Sequence, residues 1–247
     1  MAVYGKKIEV GGFNTITSFG LDLGRSGNTV PIILGGDKWN LRLLHIENLR
    51  SVSAPFVEER VNLLYSIYTP GIIVIESNGP GGVFIDYLTK HNSALPVVGV
   101  DTSVPPTDID GVELWDDMII NAKEFYNVRA AMYWLTKLLF RDRKITLPHE
   151  DIELFAQLSS IMWMEDKQTS KIKIDPKKGM RTFKSDLGEM DSTRSPDKAD
   201  AFCLAALGYA LIYQDTISTG TQVDEIVEPI LGFEGYFDLG RAGIDTL

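Results

Sequence analysis

Four carboxylates in this 247-residue chain stand where ordinary acidic surface residues would not. Asp22 interrupts the apolar run of FGLDLG, and strand alternation puts it on one face with Gly20 and Gly24. Such a carboxylate loses hydration on a covered strand and needs a cation or a set of donors in return, unless it only caps the loop that follows. Glu76 ends the β-branched run IIVIE and precedes SNGPGG, a flexible, side-chain-poor rim. In parallel sheets the carboxyl ends of strands and their loops are where ligands gather. Asp197 and Asp200 are three residues apart in RSPDKADAFCLAALGYAL, so a helix shows both on one face. Part of that segment is an orthodox helix start: Ser195 suits the N-cap, Pro196 the first helical position, and Asp197 the positive end of the helix dipole. Asp200 is explained less well by that reading.

Acidic oxygens converging in a crevice repel one another and raise at least one pKa unless divalent ions neutralise them. Oxygen-only ligation suits Mg²⁺ or Mn²⁺, one or two ions, rather than structural zinc. Two such ions can activate water and stabilise the leaving oxygen in phosphodiester hydrolysis. The pattern points to a metal-dependent nuclease in which Asp22, Glu76, Asp197 and Asp200 are the catalytic and metal-holding set.

For these residues to meet, the intervening elements must fold back on one another. Residues 17–24, 29–36 and 40–49 read as three strands joined by tight turns, an antiparallel meander. Over 54–68, Phe56, Val57, Val61, Leu64, Tyr65 and Tyr68 recur at helical spacing, and Pro70 and Gly71 end the helix. Residues 71–77 form a strand covered on both faces, a short helix lies around 83–90, and 96–101 is a further strand, which favours an α/β layer with parallel neighbours. The spacing then predicts a long amphipathic helix over 121–140 with Trp134, Leu135, Leu138 and Leu139 in the core. A short helix after Pro148, a β-hairpin across 159–176 turning in EDKQTS, and a helix over 197–213 follow. Ala199, Ala201, Ala205 and Ala206 leave that last helix slim enough to lie close against a sheet.

Lys plus Arg number 24 against 34 Asp plus Glu, and the net charge of −10 argues against attachment to nucleic acid by overall charge, though not against a local basic face. The lone cysteine, Cys203, excludes an internal disulfide and a thiolate zinc site. MAVYGKKIEVGG lacks the apolar stretch of a signal peptide, and no run reaches 18 uninterrupted apolar residues, so a soluble, non-secreted protein with no membrane partner is expected.

At this point the motifs resemble those of a known family, the nuclease domain of the large terminase subunit of tailed double-stranded DNA bacteriophages, within the ribonuclease H-like fold group. GLDLGRSGNT resembles the first strand motif with Asp22, IIVIESNGPGGVFIDYL the second with Glu76, and SPDKADAFCLAALGYA the third, whose usual acidic position is Asp197. The likeness spans roughly residues 17–213. It implies an α/β, ribonuclease H-like fold with a central mixed sheet flanked by helices and a β-hairpin insertion. It also implies an endonuclease that hydrolyses double-stranded viral DNA and cuts concatemers into genome units during packaging. Residues 1–247 are then expected to be a single nuclease domain with a tail over 218–247, lacking the amino-terminal packaging ATPase, because no G-x-x-x-x-G-K-S/T motif is found.

The same resemblance makes Asp200 an auxiliary ligand of metal or water, and leaves Asp86 an acidic residue with a surface role or a role in the site. Lys171, Lys173, Lys177, Lys178, Arg181 and Lys184 either form a solvated face or contact DNA phosphates without reading sequence. The implied partners are double-stranded DNA, the ATPase domain of an intact large subunit, the portal protein and the small terminase subunit. The isolated domain is expected to be a monomer in the host cell cytoplasm, transiently at the procapsid portal.

Two other readings compete. GLDLGRSGNT also suggests the first phosphate loop of sugar kinases and actin-like ATPases, although a second such loop is not evident; a non-enzymatic viral assembly domain would leave the acidic residues apart and solvent-facing. His45, His91 and His149 suit surface or cap positions, and the tryptophans suit packing, with Trp163 beside the basic hairpin the one candidate for DNA contact.

Overall fold

Strands rich in apolar side chains on both faces need helices on both faces, and the computed structural model has that arrangement. It describes residues 8–10, 13–23, 28–37, 40–106, 121–147, 151–174, 183–185, 188–190 and 196–218. The first strands are β1 (Ile8–Val10), β2 (Phe13–Leu23), β3 (Asn28–Asp37), β4 (Asn40–Ile46) and β5 (Leu49–Arg50). Then come α1 (Ala54–Tyr68), β6 (Ile72–Glu76), α2 (Pro80–His91) and β7 (Val97–Val100). A 3-10 turn at Ala122–Glu124 precedes α3 (Val128–Arg141), β8 (Ile145–Thr146) and α4 (Ile152–Ser160). Two small hairpins, β9 (Trp163–Glu165) with β10 (Ile172–Ile174) and β11 (Phe183–Ser185) with β12 (Gly188–Met190), lead to α5 (Asp197–Ser218).

The main sheet is mixed, in the order β7-β6-β2-β3-β4-β8, with β1 added to β2 and β5 to β3. The expected meander is β2, β3 and β4; β6 runs parallel to β2 and β7 parallel to β6. Pro31 is tolerated in central strand β3 because its outer partner changes there from β4 to β5, so no ladder donor is needed from it. Its carbonyl still accepts from the Glu47 amide at 3.2 Å.

Alternation divides the core in two. Phe19, Leu21, Ile33, Ile73 and Ile75 meet Val57, Val61 and Leu64 of α1 and Phe84 and Leu88 of α2. Val30, Ile32, Leu34, Ile72 and Val74 point the other way, into a cluster shared with α3, α4 and α5. Helix α5 is buried at every residue from Ala199 to Ala210, so it is a central element rather than an amphipathic cover.

What admits α5 is the small residue Gly20. A Cβ there would lie 2.1 Å from the Ala201 carbonyl oxygen and 2.5 Å from the Ala205 nitrogen, both backbone atoms that cannot step aside. Nearby, the Ser18 hydroxyl donates to the Ala205 carbonyl at 2.6 Å. The alanines thus let the helix reach the strand, as their size suggests.

Two helix starts differ from the sequence expectation. The helix placed over 121–140 begins only at Val128, where the Asn127 side chain accepts from the Ala130 amide at 3.0 Å. Before it, Phe125 bridges to Ile172 and the Tyr126 amide donates to the Ile172 carbonyl, so contact with β10 overrides the helical spacing. The helix expected around 83–90 starts earlier, at Pro80, with Gly79 as its N-cap and Gly81 and Gly82 in its first turn. Gly81 packs on the strand end so tightly that a Cβ would fall 1.7 Å from the Glu76 carbonyl oxygen, so this segment is a packed reversal and not a flexible rim. Trp134 is only partly buried, whereas Leu135, Leu138 and Leu139 are core as expected.

Replacing Gly20 by alanine should therefore lower unfolding stability by about 2–3 kcal/mol, the upper part of the range for an overpacked core. Urea titration of the two proteins measures it, and an unchanged midpoint would mean that α5 does not bear on β2 this closely.

Candidate active site

The paired residues Leu21 and Ile75 lie one position before Asp22 and Glu76 on parallel strands β2 and β6. The two carboxylates therefore leave neighbouring strands at the same level, on the face that carries Gly20 and Val74. That is the α5 face. Along it α5 runs opposite to β2: Gly208 lies against Ser18, Ile72 and Val74, while Ala201 and Ala205 lie over Gly20. Asp197, one turn before Ala201, thus reaches the Asp22 end of the strands. A cross-strand contact agrees, since Asn28 at the head of β3 donates its amide to Asp197 Oδ2 at 3.3 Å.

Burial separates these groups from ordinary surface acids: Asp22 and Asp197 are each 4% exposed and Asp200 6%. Asp197 Oδ1 is buried and meets no donor among the described residues. An acceptor left dry in this way costs about 1–3 kcal/mol. Glu76 is half-buried and accepts from the Thr102 hydroxyl, which receives the Asn78 amide at 3.4 Å.

Asp200 has different surroundings from Asp197. Its Oδ1 takes Arg129 Nη2 at 2.7 Å and the Tyr133 hydroxyl at 2.8 Å, both from α3, where they lie one turn apart. Burial works against the Arg129 charge, but Asp200, Tyr133 and Glu76 outweigh it and hold the guanidinium above its usual range. Burial, reinforced by Asp200, pushes the Tyr133 hydroxyl well above its ordinary value, so it stays a donor. The helix-face argument grouped Asp197 with Asp200, and in the structure they have different partners, Asn28 of β3 for Asp197 and Arg129 and Tyr133 of α3 for Asp200.

Among nearby cations, Lys198 is held by Asp151 at 2.8 Å and Glu153 at 3.0 Å. Lys198 and Arg129 are thus each engaged by carboxylates. Among the described residues, no three His, Cys, Asp or Glu side chains are closed into a metal-holding group. The chemistry of the donor set and the orphaned oxygen of Asp197 nonetheless suit a hard divalent cation.

The basic residues ahead of α5 separate. Lys173 pairs with Asp166 at 2.7 Å across the β9–β10 hairpin and stands over the Tyr126 ring. The Lys173 ammonium and the Thr169 hydroxyl hold the Asp166 carboxyl down at about 2. Lys171 is half-buried in the same hairpin. Lys177, Lys178, Arg181 and Ser195 lie outside the described residues, and Lys184 falls on β11. Trp163 is 42% exposed but rests edge-on against Trp134, with Lys137 over both rings. Asp86 is exposed on α2, His45 pairs with Glu47, and His91 pairs with Glu58. His149 lies outside the described residues.

Arg129, Tyr133 and Thr102 are site residues that sequence reasoning missed. The four-residue spacing of Arg129 and Tyr133 was visible as one helix face, but nothing in the sequence names Asp200 as what that face meets.

No protein-family profile and no curated protein matches the sequence. Solved structures do match. The nuclease domain of the large terminase subunit of bacterial virus Sf6, determined with manganese and β-thujaplicinol, aligns over 78% of this chain and 87% of its own, at 16% identity and a TM-score of 0.56. The large terminase nuclease of thermophilic phage G20c with bound magnesium aligns over 78% and 82%, at 12% identity and 0.52. The cobalt-bound form of the latter gives 78% and 81%, 12% and 0.53. The chain therefore has the fold of these nucleases, which is ribonuclease H-like, with the central mixed sheet flanked by helices that the motifs implied.

Removing one charge at or beside each of the two aspartates of α5 should have unequal costs in metal-free buffer. Arg129→Met, which leaves Asp200 buried and unpaired, should cost about 3–5 kcal/mol. Asp197→Asn removes a charge that already lacks a partner on one oxygen and should cost less than about 1 kcal/mol. Denaturant unfolding in EDTA tests the pair, and equal losses would refute the distinction.

Proposed function

We propose that the chain is a divalent-metal-dependent DNA endonuclease acting in viral DNA packaging, as the nuclease part of a terminase large subunit. The observation that supports this reading best is that Asp22 and Glu76 leave neighbouring strands at one level and α5 begins toward the same end, with a buried Asp197 oxygen that meets no donor among the described residues. Support from outside the chain is the shared fold with terminase nucleases solved with manganese and magnesium. Burial of Asp22, Asp197 and Asp200 counts against a passive assembly domain with solvent-facing acids.

Asp22, Glu76 and Asp197 would hold one or two Mg²⁺ or Mn²⁺ ions. Bound there, the cation supplies positive charge that favours deprotonation of water and departure of the phosphodiester oxygen. The chain's own part is positional. Asp22 and Asp197 are held by packed backbone on a strand and a helix, and the Thr102 hydroxyl orients Glu76. The substrate is double-stranded DNA in concatemers, cut into genome units. The motor partners are an ATPase domain, a portal protein and a small terminase subunit, met in the host cytoplasm and at the procapsid portal. Without a base-reading element, sequence preference should be slight.

Mg²⁺ or Mn²⁺ should support cutting of plasmid and linear DNA, and EDTA should abolish it. Asp22→Asn should lower the rate at least about 100-fold, as loss of one member of an electrostatic catalytic set does. Full cleavage by a folded Asp22→Asn protein would refute the assignment. In a separate measurement, Mn²⁺ at a hundred times its dissociation constant should stabilise the wild-type chain by about 2.7 kcal/mol. Asp197→Asn should lose most of that gain; an equal metal-induced rise in its melting temperature would exclude Asp197 as a ligand.

A further inference from the structure

We propose that Arg129 is a phosphate-contacting residue of this site and that Asp200 is the carboxylate that positions it rather than a metal ligand. The inference rests on the nuclease reading above and deepens it.

The placement of Arg129 is unfavourable unless it has a purpose or a strong partner. It is the second residue of α3, at the positive end of the helix dipole, and the first turn of α3 contains no acidic residue. Its backbone is pinned there, since its amide donates to the Thr102 carbonyl at 3.0 Å and the preceding Val128 amide donates to Val104 at 2.9 Å. Thr102 is also the residue whose hydroxyl meets Glu76. One residue thus ties the head of α3 to a proposed metal carboxylate, and Arg129 follows at close range to it.

The guanidinium is fixed from the other side by Asp200 and by the face of the Tyr133 ring, 5.4 Å away. Its side chain nevertheless keeps 20% exposure, so the residue is not wholly enclosed among the described residues. A planar donor group held in place by a carboxylate suits a tetrahedral anion better than a mobile lysine does. Its position beside Glu76 would set that anion next to the ions held by the carboxylates. Asp200, with Oδ1 given to two donors on α3, then serves Arg129.

The test uses the whole chain and a short fluorescein-labelled DNA duplex, with binding read by anisotropy in EDTA across a salt series. Arg129→Gln combined with Asp200→Asn removes both charges of the buried pair, leaves the net charge unchanged and strands neither partner. Its plot of log affinity against log salt should be shallower than wild type by about 0.9, the value for one lost phosphate contact. Arg129→Lys should keep the wild-type slope while cleaving more slowly, because it keeps the charge and loses the fork. Calorimetric titration with Mn²⁺ alone should give Asp200→Asn the wild-type affinity.

A wild-type slope in the double variant would overturn the phosphate contact, and loss of Mn²⁺ binding in Asp200→Asn would overturn the positioning role of Asp200. A wild-type chain that neither binds nor cuts DNA would overturn the nuclease reading itself, so the two failures are distinguishable.

Discussion

The approach of α5 to β2 is the constraint on which the rest of this structure depends. Helix and strand usually keep a side-chain layer between their backbones, and here Gly20 removes it, so the Ala201 carbonyl comes within reach of the strand itself. Once that contact is made, the direction and height of α5 are set. Its first turn must lie toward the carboxyl ends of β2 and β6, and the positive pole of its dipole must point to that end of the sheet. A packing rule thereby becomes an electrostatic one.

That electrostatic arrangement separates two aspartates that chemistry alone would treat alike. Asp200 faces α3 and has its charge answered by a buried guanidinium and a phenol. Asp197, nearly a turn earlier, faces the strands and, among the described residues, receives a single amide on one oxygen. Buried ion pairs contribute little net stability, but breaking one is costly, which makes the Asp200 pair a rigid reference for the neighbouring turn. The two aspartates of one helix turn thus sit in different electrostatic surroundings.

Much of this was legible in the sequence because it rests on local patterns. The alternation around Asp22, the all-apolar run before Glu76 and the alanines after Asp197 each encode a face, and those faces specify the sheet and the helix against it. What escaped was of another kind. Phe125 and Tyr126 read as helical, yet a bridge to Ile172 takes them out of the helix, and only then does Asn127 start it. The glycines after Glu76 read as freedom, and Gly81 instead marks a place without room. Arg129 carried no signal because its meaning lies wholly in Asp200, a residue of another element. Pairings made across the chain by packing leave no periodicity to find.

Cys203 sits in the middle of α5, fully buried, and burial pushes its thiol far above the ordinary cysteine range. Thiolate reagents need the ionised sulfur and a path to it, and this residue offers neither while the chain is folded. The native protein is therefore silent toward maleimide dyes. A cysteine introduced on an exposed element, such as the outer side of α1, would be the single position to take up a fluorophore, with no need to disturb the buried helix by removing its own sulfur.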